Sequence, residues 1–269
     1  MQNTELIVLG TGNATVTRCY NTCFALKQNN DILLVDAGGG NGILSQLEKA
    51  DIPYSNIHDI FVTHAHTDHI LGIIWMIRIV AQEMNKGKYE GTLKVYGHDK
   101  VIEVLKTICQ LTLPKKIQAR LHKDIELCEV RHGDTFSAIS MDFQCFDIGS
   151  TKEKQYGFRT ILPDGKSLVC LGDEPYNEIN RSFVGNTDWM LSEAFCLYED
   201  KETFRPYEKH HSTALDAGKL AQQLNVRNLL LYHTEDKTLA TRKLKYTAEA
   251  KLNFSGNVFV PEDLETIIL

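Results

Sequence analysis

Ile60-Phe61-Val62-Thr63-His64-Ala65-His66-Thr67-Asp68-His69 is the stretch on which the reading of this 269-residue chain turns. A short apolar run with the character of a buried strand ends in three histidines and an aspartate within six residues, and a second apolar segment, Ile70 to Val80, begins at once. His64 and His66 are two apart, so in extended backbone their imidazoles point the same way. Asp68 and His69 fall where the chain must turn, just before that segment. Imidazole nitrogen with carboxylate oxygen is a donor set that suits zinc, manganese or iron. A His-Glu-x-x-His pair needs one helical face. The spacing here differs, and it suits two adjacent ions, His64 and His66 on one, Asp68 and His69 on the other. The bland alternative is a histidine-rich solvated loop; the number of fixed positions and the strand-loop-helix context argue against it.

Later stretches echo this one. Leu168-Val169-Cys170-Leu171-Gly172-Asp173 is an apolar strand ending in a carboxylate, and Leu229-Leu230-Leu231-Tyr232-His233 is one ending in a histidine. Open α/β sheets present their ligands from the carboxyl ends of strands. Asp173 has two oxygens with which to bridge two ions, and His233 can complete the second. Asp36 also stands at a strand end, before Ala37-Gly38-Gly39-Gly40. It reads either as a helix cap or as a carboxylate that orients a ligating histidine. His210-His211-Ser212-Thr213 opens a helix, where an anion would meet free N–H groups and an imidazole; a plain capping sequence is the alternative. Gly10-Thr11-Gly12-Asn13 lacks the spacing of a dinucleotide fingerprint and the lysine of a P-loop, and reads as a tight turn.

Patterning predicts strands at 6–9, 22–27, 32–35, 59–62, 93–96, 125–130, 141–148, 158–162, 168–171, 189–191, 229–232 and 258–260. It predicts helices at 42–50, 69–84, 99–109, 213–224 and 239–251. Strands run too late and too often for a simple parallel wind. Two packed sheets with helices on each outer face fit, an α/β chain. No linker, repeat or low-complexity segment divides it, so 1–269 reads as a single domain. The basic run from Leu113 to Lys123 reads as a solvated face, with an anion-holding role as the alternative.

A net charge of −6 argues against extensive nucleic-acid binding, which shows a basic face. The seven cysteines form no Cys-x-x-Cys pair and are odd in number, which fits a reducing compartment better than a disulfide framework. Met1-Gln2-Asn3-Thr4-Glu5 lacks the basic and apolar regions of a signal peptide. Ile70 to Val80 is too short to span a bilayer and contains Arg78. A cytoplasmic protein without membrane contact is expected.

His64-x-His66-x-Asp68-His69, Gly172-Asp173 and His233, in that order, resemble the metallo-β-lactamase superfamily of two-metal hydrolases. Leu9-Gly10-Thr11-Gly12-Asn13-Ala14, Glu193-Ala194 and His211-Ser212-Thr213-Ala214 are similar to its ribonuclease Z branch. The resemblance spans nearly the whole chain. It implies a four-layer αββα sandwich with one or two ions, zinc first and manganese or iron as alternatives, at the rim between the sheets. It implies His64, His66, Asp68, His69, Asp173 and His233 as ligands. Asp68 would also accept a proton, His211 would contact phosphate or donate a proton, and Glu193 would support that histidine. Related hydrolases are often dimers, though no segment here marks an interface.

The sequence departs from this pattern twice. Where the family places a further ligating histidine, this chain reads Phe146-Asp147-Ile148-Gly149-Ser150-Thr151. The first ion would keep His64, His66 and Asp173, with Asp147, His132 or water as stand-ins, so a weakened or exchangeable first site is expected. The long tRNA-gripping arm is missing as well; Ser150 to Gly172 has room for two strands and a turn. The expected function is therefore hydrolysis of a small or short phosphodiester, not tRNA 3′ processing. A lactone, thioester or carboxylic ester hydrolase is the first alternative, and a metal-poor sensor that binds a small anion is the second.

Overall fold

The computed structural model describes residues 3–121 and 123–269; Met1 and Gln2 of the N-terminal stretch, and His122 inside the basic run, lie outside the described residues. Fourteen strands form two seven-stranded sheets. The first sheet holds β1 (Glu5–Gly10), β2 (Cys23–Gln28), β3 (Asp31–Val35), β4 (Ile57–Phe61), β5 (Leu93–Gly97) and β6 (Ile125–Glu129). The second holds β7 (Thr135–Ala138), β8 (Met141–Asp147), β9 (Tyr156–Ile161), β10 (Ser167–Cys170), β11 (Trp189–Glu193), β12 (Asn228–Tyr232) and β13 (Asn257–Phe259). The last strand, β14 (Thr266–Ile268), returns to pair with β1. Each sheet is antiparallel at one end and parallel at the other, β3 to β6 in the first and β10 to β13 in the second.

The layering follows from which side chains each strand buries. Leu6, Val8, Phe24, Leu33 and Phe61 of the first sheet meet Phe143, Phe158, Leu168, Leu191 and Leu230 of the second in an inner core. Phe61 stands edge-on to Phe158 with ring centroids 5.5 Å apart, an aromatic contact that joins the two sheets. The alternate residues face outward. Ile7, Leu9, Leu34 and Ile60 pack under α1 (Gly42–Lys49), α2 (Thr67–Asn85) and α3 (Asp99–Thr112). Val169, Met190, Leu229 and Leu231 pack with α7 (Ala214–Gln223) and α8 (Leu239–Lys251). Strands buried on both faces lose the polar alternation of a half-exposed strand, which is why β3 and β12 read as unbroken apolar runs. Among the described residues three single-turn α-helices, α4 (Lys115–Gln118), α5 (Arg181–Val184) and α6 (Lys201–Phe204), and four 3₁₀ turns complete the set. The architecture is the expected four-layer αββα sandwich.

Several local expectations change. β7 and β14 are too short to show in a hydrophobic pattern. The second long helix begins at Thr67, so Asp68 and His69 lie in its first turn and not in a turn before it. The basic run forms α4 beside the far end of α2, where Lys116 and Ile117 face Gln82 and Lys86. With about 1.5 Å of rise per residue, that end lies roughly 28 Å from the first turn, too far to hold a substrate there. Between β8 and β10 stand only a loop, β9 and the turn at Pro163-Asp164-Gly165, so no arm projects.

Candidate metal centre

The parallel strands of both sheets end at one rim, and their C-terminal ends deliver the polar residues. Asp36 follows β3, His64 follows β4, Asp173 follows β10, Glu193 closes β11 and His233 follows β12. Asp36 and His233 take left-handed backbone, φ +55° and +57°. Such conformations are uncommon outside glycine and cluster where a site over-determines them.

Two donor groups result: His64, His66 and Asp173, then Asp68, His69 and His233. Asp173 joins them. Its Oδ2 lies 3.5 Å from His64 Nε2, 3.6 Å from His69 Nε2 and 3.5 Å from His233 Nε2. Asp68 Oδ2 is 3.3 Å from His69 Nε2. With metal–ligand bonds near 2.0–2.2 Å, two ligands of a tetrahedral ion stand roughly 3.4 Å apart. Asp173 Oδ1 and His69 Nε2 are buried without a hydrogen-bond partner. Buried atoms of this kind demand an occupant, and these spacings fit a metal ion.

The histidines are oriented from behind. His69 Nδ1 donates to Asp36 Oδ2 at 2.8 Å, which leaves Nε2 as the free donor atom. The Thr63 hydroxyl donates to the same Oδ2 at 2.7 Å and accepts from His64 Nδ1 at 2.9 Å. The Thr63 amide donates to Asp36 Oδ1 at 2.9 Å. One carboxylate thus orients a histidine of each group, and the helix-cap reading of Asp36 falls, since Asn41 precedes α1. Gly72 makes this possible. A Cβ there would lie 1.8 Å from the Ala37 carbonyl oxygen, so only glycine lets α2 approach the Asp36 loop this closely.

The missing histidine has a structural counterpart. Gly149 has φ +74°, and a Cβ on it would meet Asn177 and Ile179 at 2.8 Å. Its amide donates to Asp147 Oδ1 at 2.8 Å, and the Asp147 amide donates to His132 Nδ1 at 3.1 Å. Asp147 and His132 are engaged with backbone and belong to neither donor group, so the stand-in role expected for them is not met. Water remains the candidate for that position.

Burial and neighbouring charge set the protonation. Burial holds His64 well below the usual imidazole range. Against burial, the carboxylates of Asp68 and Asp36 raise His69 well above it. Asp68 and Asp173 are held below the carboxylate range by the surrounding histidines, although burial works the other way. Burial, then His233, lowers His211 to about 3. The His211 Nδ1 donates to the Asp173 carbonyl at 2.9 Å, so its Nε2 is the uncommitted nitrogen. Its ring stacks on Phe195 at 4.8 Å. Glu193 is wholly buried behind it, with Oε1 accepting from the Ser212 amide at 2.6 Å and Oε2 3.7 Å from His211 Nδ1, too long for a hydrogen bond. Burial raises Glu193 well above its usual range. Thr213 caps α7, in a capping box with Asp216.

An open cavity of about 490 Å³ joins these groups. Its walls include His66, Asp68, Asp173, His211 and His233, with Asn13 and Thr15 of the first loop and Lys152, Lys209 and Phe195 opposite. Sequence reasoning missed Thr63, Asn13, Lys152 and Lys209. Thr63 had a signal in its place between the strand and His64, and Asn13 in the Leu9-to-Ala14 stretch similar to the ribonuclease Z branch; the two lysines had none.

The fold and these donor groups define a metal-dependent hydrolase of the metallo-β-lactamase superfamily, ribonuclease Z-like. Residues 4–258 match the family model described as "Anti-Pycsar protein Apyc1", and the chain belongs to that family. It is 25% identical to the ribonuclease Z of Thermococcus sibiricus, over 98% of this chain and 96% of that one. In structure it is similar to the metallo-β-lactamase fold protein YhfI from Bacillus subtilis, with TM-score 0.78 at 22% identity, covering 98% and 99% of the two chains. Zn²⁺-bound PqqB from Methylobacterium extorquens shares the fold with TM-score 0.72 at 12% identity, covering 98% and 100%. Among the described residues no helix is long and apolar enough to cross a membrane.

Proposed function

We propose that the chain hydrolyses a compact phosphodiester with zinc as its metal, manganese and iron being the alternatives. His64, His66 and Asp173 would hold one ion, and Asp68, His69, His233 and the shared Asp173 the other. When bound, the metal supplies a water whose pKa falls to about 7 and positive charge for the phosphoryl oxygens. The observation that carries the reading is His211. It is fixed by its bond to the Asp173 carbonyl and lines the same cavity as both donor groups. With Nδ1 committed, Nε2 meets the substrate. An anionic phosphoryl group there favours the protonated ring, which then donates to a nonbridging or leaving oxygen. Asp68 accepts the proton of the attacking water, and Glu193 positions His211 through the Ser212 amide. The cavity fits a small ligand. The absence of an arm, and the net charge of −6, argue against precursor tRNA. Following the family's description as an anti-Pycsar protein, we place this activity in opposition to Pycsar.

The test is a substrate panel on metal-loaded protein: bis-p-nitrophenyl phosphate, 3′,5′-cyclic mononucleotides, lactones and thioesters. Turnover of a diester, lost in His211→Ala with the metal content unchanged, is the expected result. Ester turnover without diester turnover would replace the reading with carbonyl chemistry. A protein inert toward all of them that still binds a small anion would make it a sensor.

A further inference from the structure

We infer that Lys152 and Lys209 form a cationic clamp that recognises the anionic group of the substrate and sets its affinity; the inference rests on the phosphodiester reading above. Both line the cavity that His66, Asp68, Asp173 and His233 share. Neither has a carboxylate within salt-bridge distance among the described residues, whereas Lys154, Lys166 and Lys243 each do. Two cations without a carboxylate partner on the wall of one cavity raise its attraction for an incoming anion.

Lys152 stands on a loop and Lys209 at the end of a 3₁₀ turn (Tyr207–Lys209), each next to residues of the cavity wall. Lys152 follows Ser150, whose hydroxyl donates to Glu174 Oε1 at 2.7 Å, and Glu174 adjoins Asp173. The Lys152 amide turns back onto that hydroxyl at 3.2 Å. Lys209 Nζ lies 4.8 Å from the centre of the Phe195 ring, and that ring stacks with His211 at 4.8 Å. The Phe195 ring thus contacts both the Lys209 ammonium and the His211 imidazole, and His211 is itself 5.2 Å from His233. Cation–π contact fixes the ammonium more firmly than free solvent would. The two segments are then tied together, since Thr151 Oγ1 and His210 Nδ1 are 2.7 Å apart. His210 takes left-handed backbone, φ +59°, between the two residues that enter the cavity wall.

The arrangement favours an anion over a neutral ester in binding more than in chemistry, because both lysines are exposed whereas all the donor residues but His66 are buried. With bis-p-nitrophenyl phosphate and the metal-loaded enzyme, Lys152→Ala and Lys209→Ala should each raise KM about fivefold to tenfold and change kcat less than about twofold. The double variant should raise KM further and lose most of the dependence of KM on ionic strength. Lysine to arginine should restore KM to within about threefold, and Lys166→Ala, a remote lysine paired with Asp164, should leave it unchanged. Calorimetric titration with inorganic phosphate is the second readout, with affinity expected to fall at least about tenfold in the double variant. Wild-type KM and phosphate affinity in the double variant would overturn the clamp. Weakened phosphate binding in a protein that turns over only neutral esters would support the clamp and overturn the phosphodiester reading.

Discussion

The two donor groups share Asp173 but differ in what encloses them. Asp68, His69 and His233 are all buried, whereas His66 of the other group is partly exposed. His69 is bonded directly to Asp36, while His64 reaches that carboxylate only through Thr63. The second group gains a fourth donor when Asp173 is counted; the first has three, with Gly149 where a Cβ would meet Asn177 and Ile179 at 2.8 Å. Identical chemistry in two environments predicts two affinities. A closed, four-donor site retains its ion, and an open one with three exchanges it.

The largest expected effect is the contrast between His69→Ala and His66→Ala. The first should lower kcat/KM by on the order of a thousandfold and release the tight ion, and the second by about ten to a hundredfold. Equal losses in both variants would erase the distinction. Metal analysis after mild chelation should find close to one ion per chain, and two ions lost at one rate would show the groups to be equivalent. Asp36→Ala should weaken metal affinity about ten to a hundredfold, as loss of an orienting carboxylate does, with the greater loss at the second group. Gly72→Val should destabilise the fold by about 1–3 kcal/mol in denaturant titration, because the new side chain drives α2 off the Ala37 carbonyl. A variant of unchanged stability would mean that this approach is not needed.

The smallest effect concerns Cys170, three residues before Asp173. Burial, opposed by the Gly172 amide and Tyr232, pushes its thiol up to about 11. The sign follows directly. A higher pKa means less thiolate, on the order of a thousandth at pH 8, so Cys170 should resist a thiol reagent natively and react on denaturation. Fast native labelling would show that the floor beneath the shared ligand opens to solvent.

The sequence made the fold and the donor residues legible for one physical reason. Strands buried on both faces are long apolar runs, so a histidine or aspartate at their ends stands out, as at Val62-Thr63-His64 and Tyr232-His233. Two-residue spacing also sets His64 and His66 apart from the adjacent pair Asp68 and His69. The role of Asp36 was not legible, because a cap and an orienting carboxylate look alike until a partner 33 positions away is in place. Lys152 lies in an irregular loop and Lys209 closes a single 3₁₀ turn, Tyr207–Lys209, and neither is long enough for a periodicity to say which way a side chain faces. For the basic run at Leu113–Lys123 the solvated-face reading stands and the anion-holding alternative fails on distance, which a sequence does not display. β7 and β14, four and three residues long, carry too few side chains to show a period.

His64 and His66 follow a strand of the first sheet, Asp173 and His233 strands of the second, so an ion held at this rim would be a cross-link between the two halves of the sandwich. Removing it would cost more than catalysis: the layers would lose the bond that resists their sliding apart, and heating should then separate them at a lower temperature.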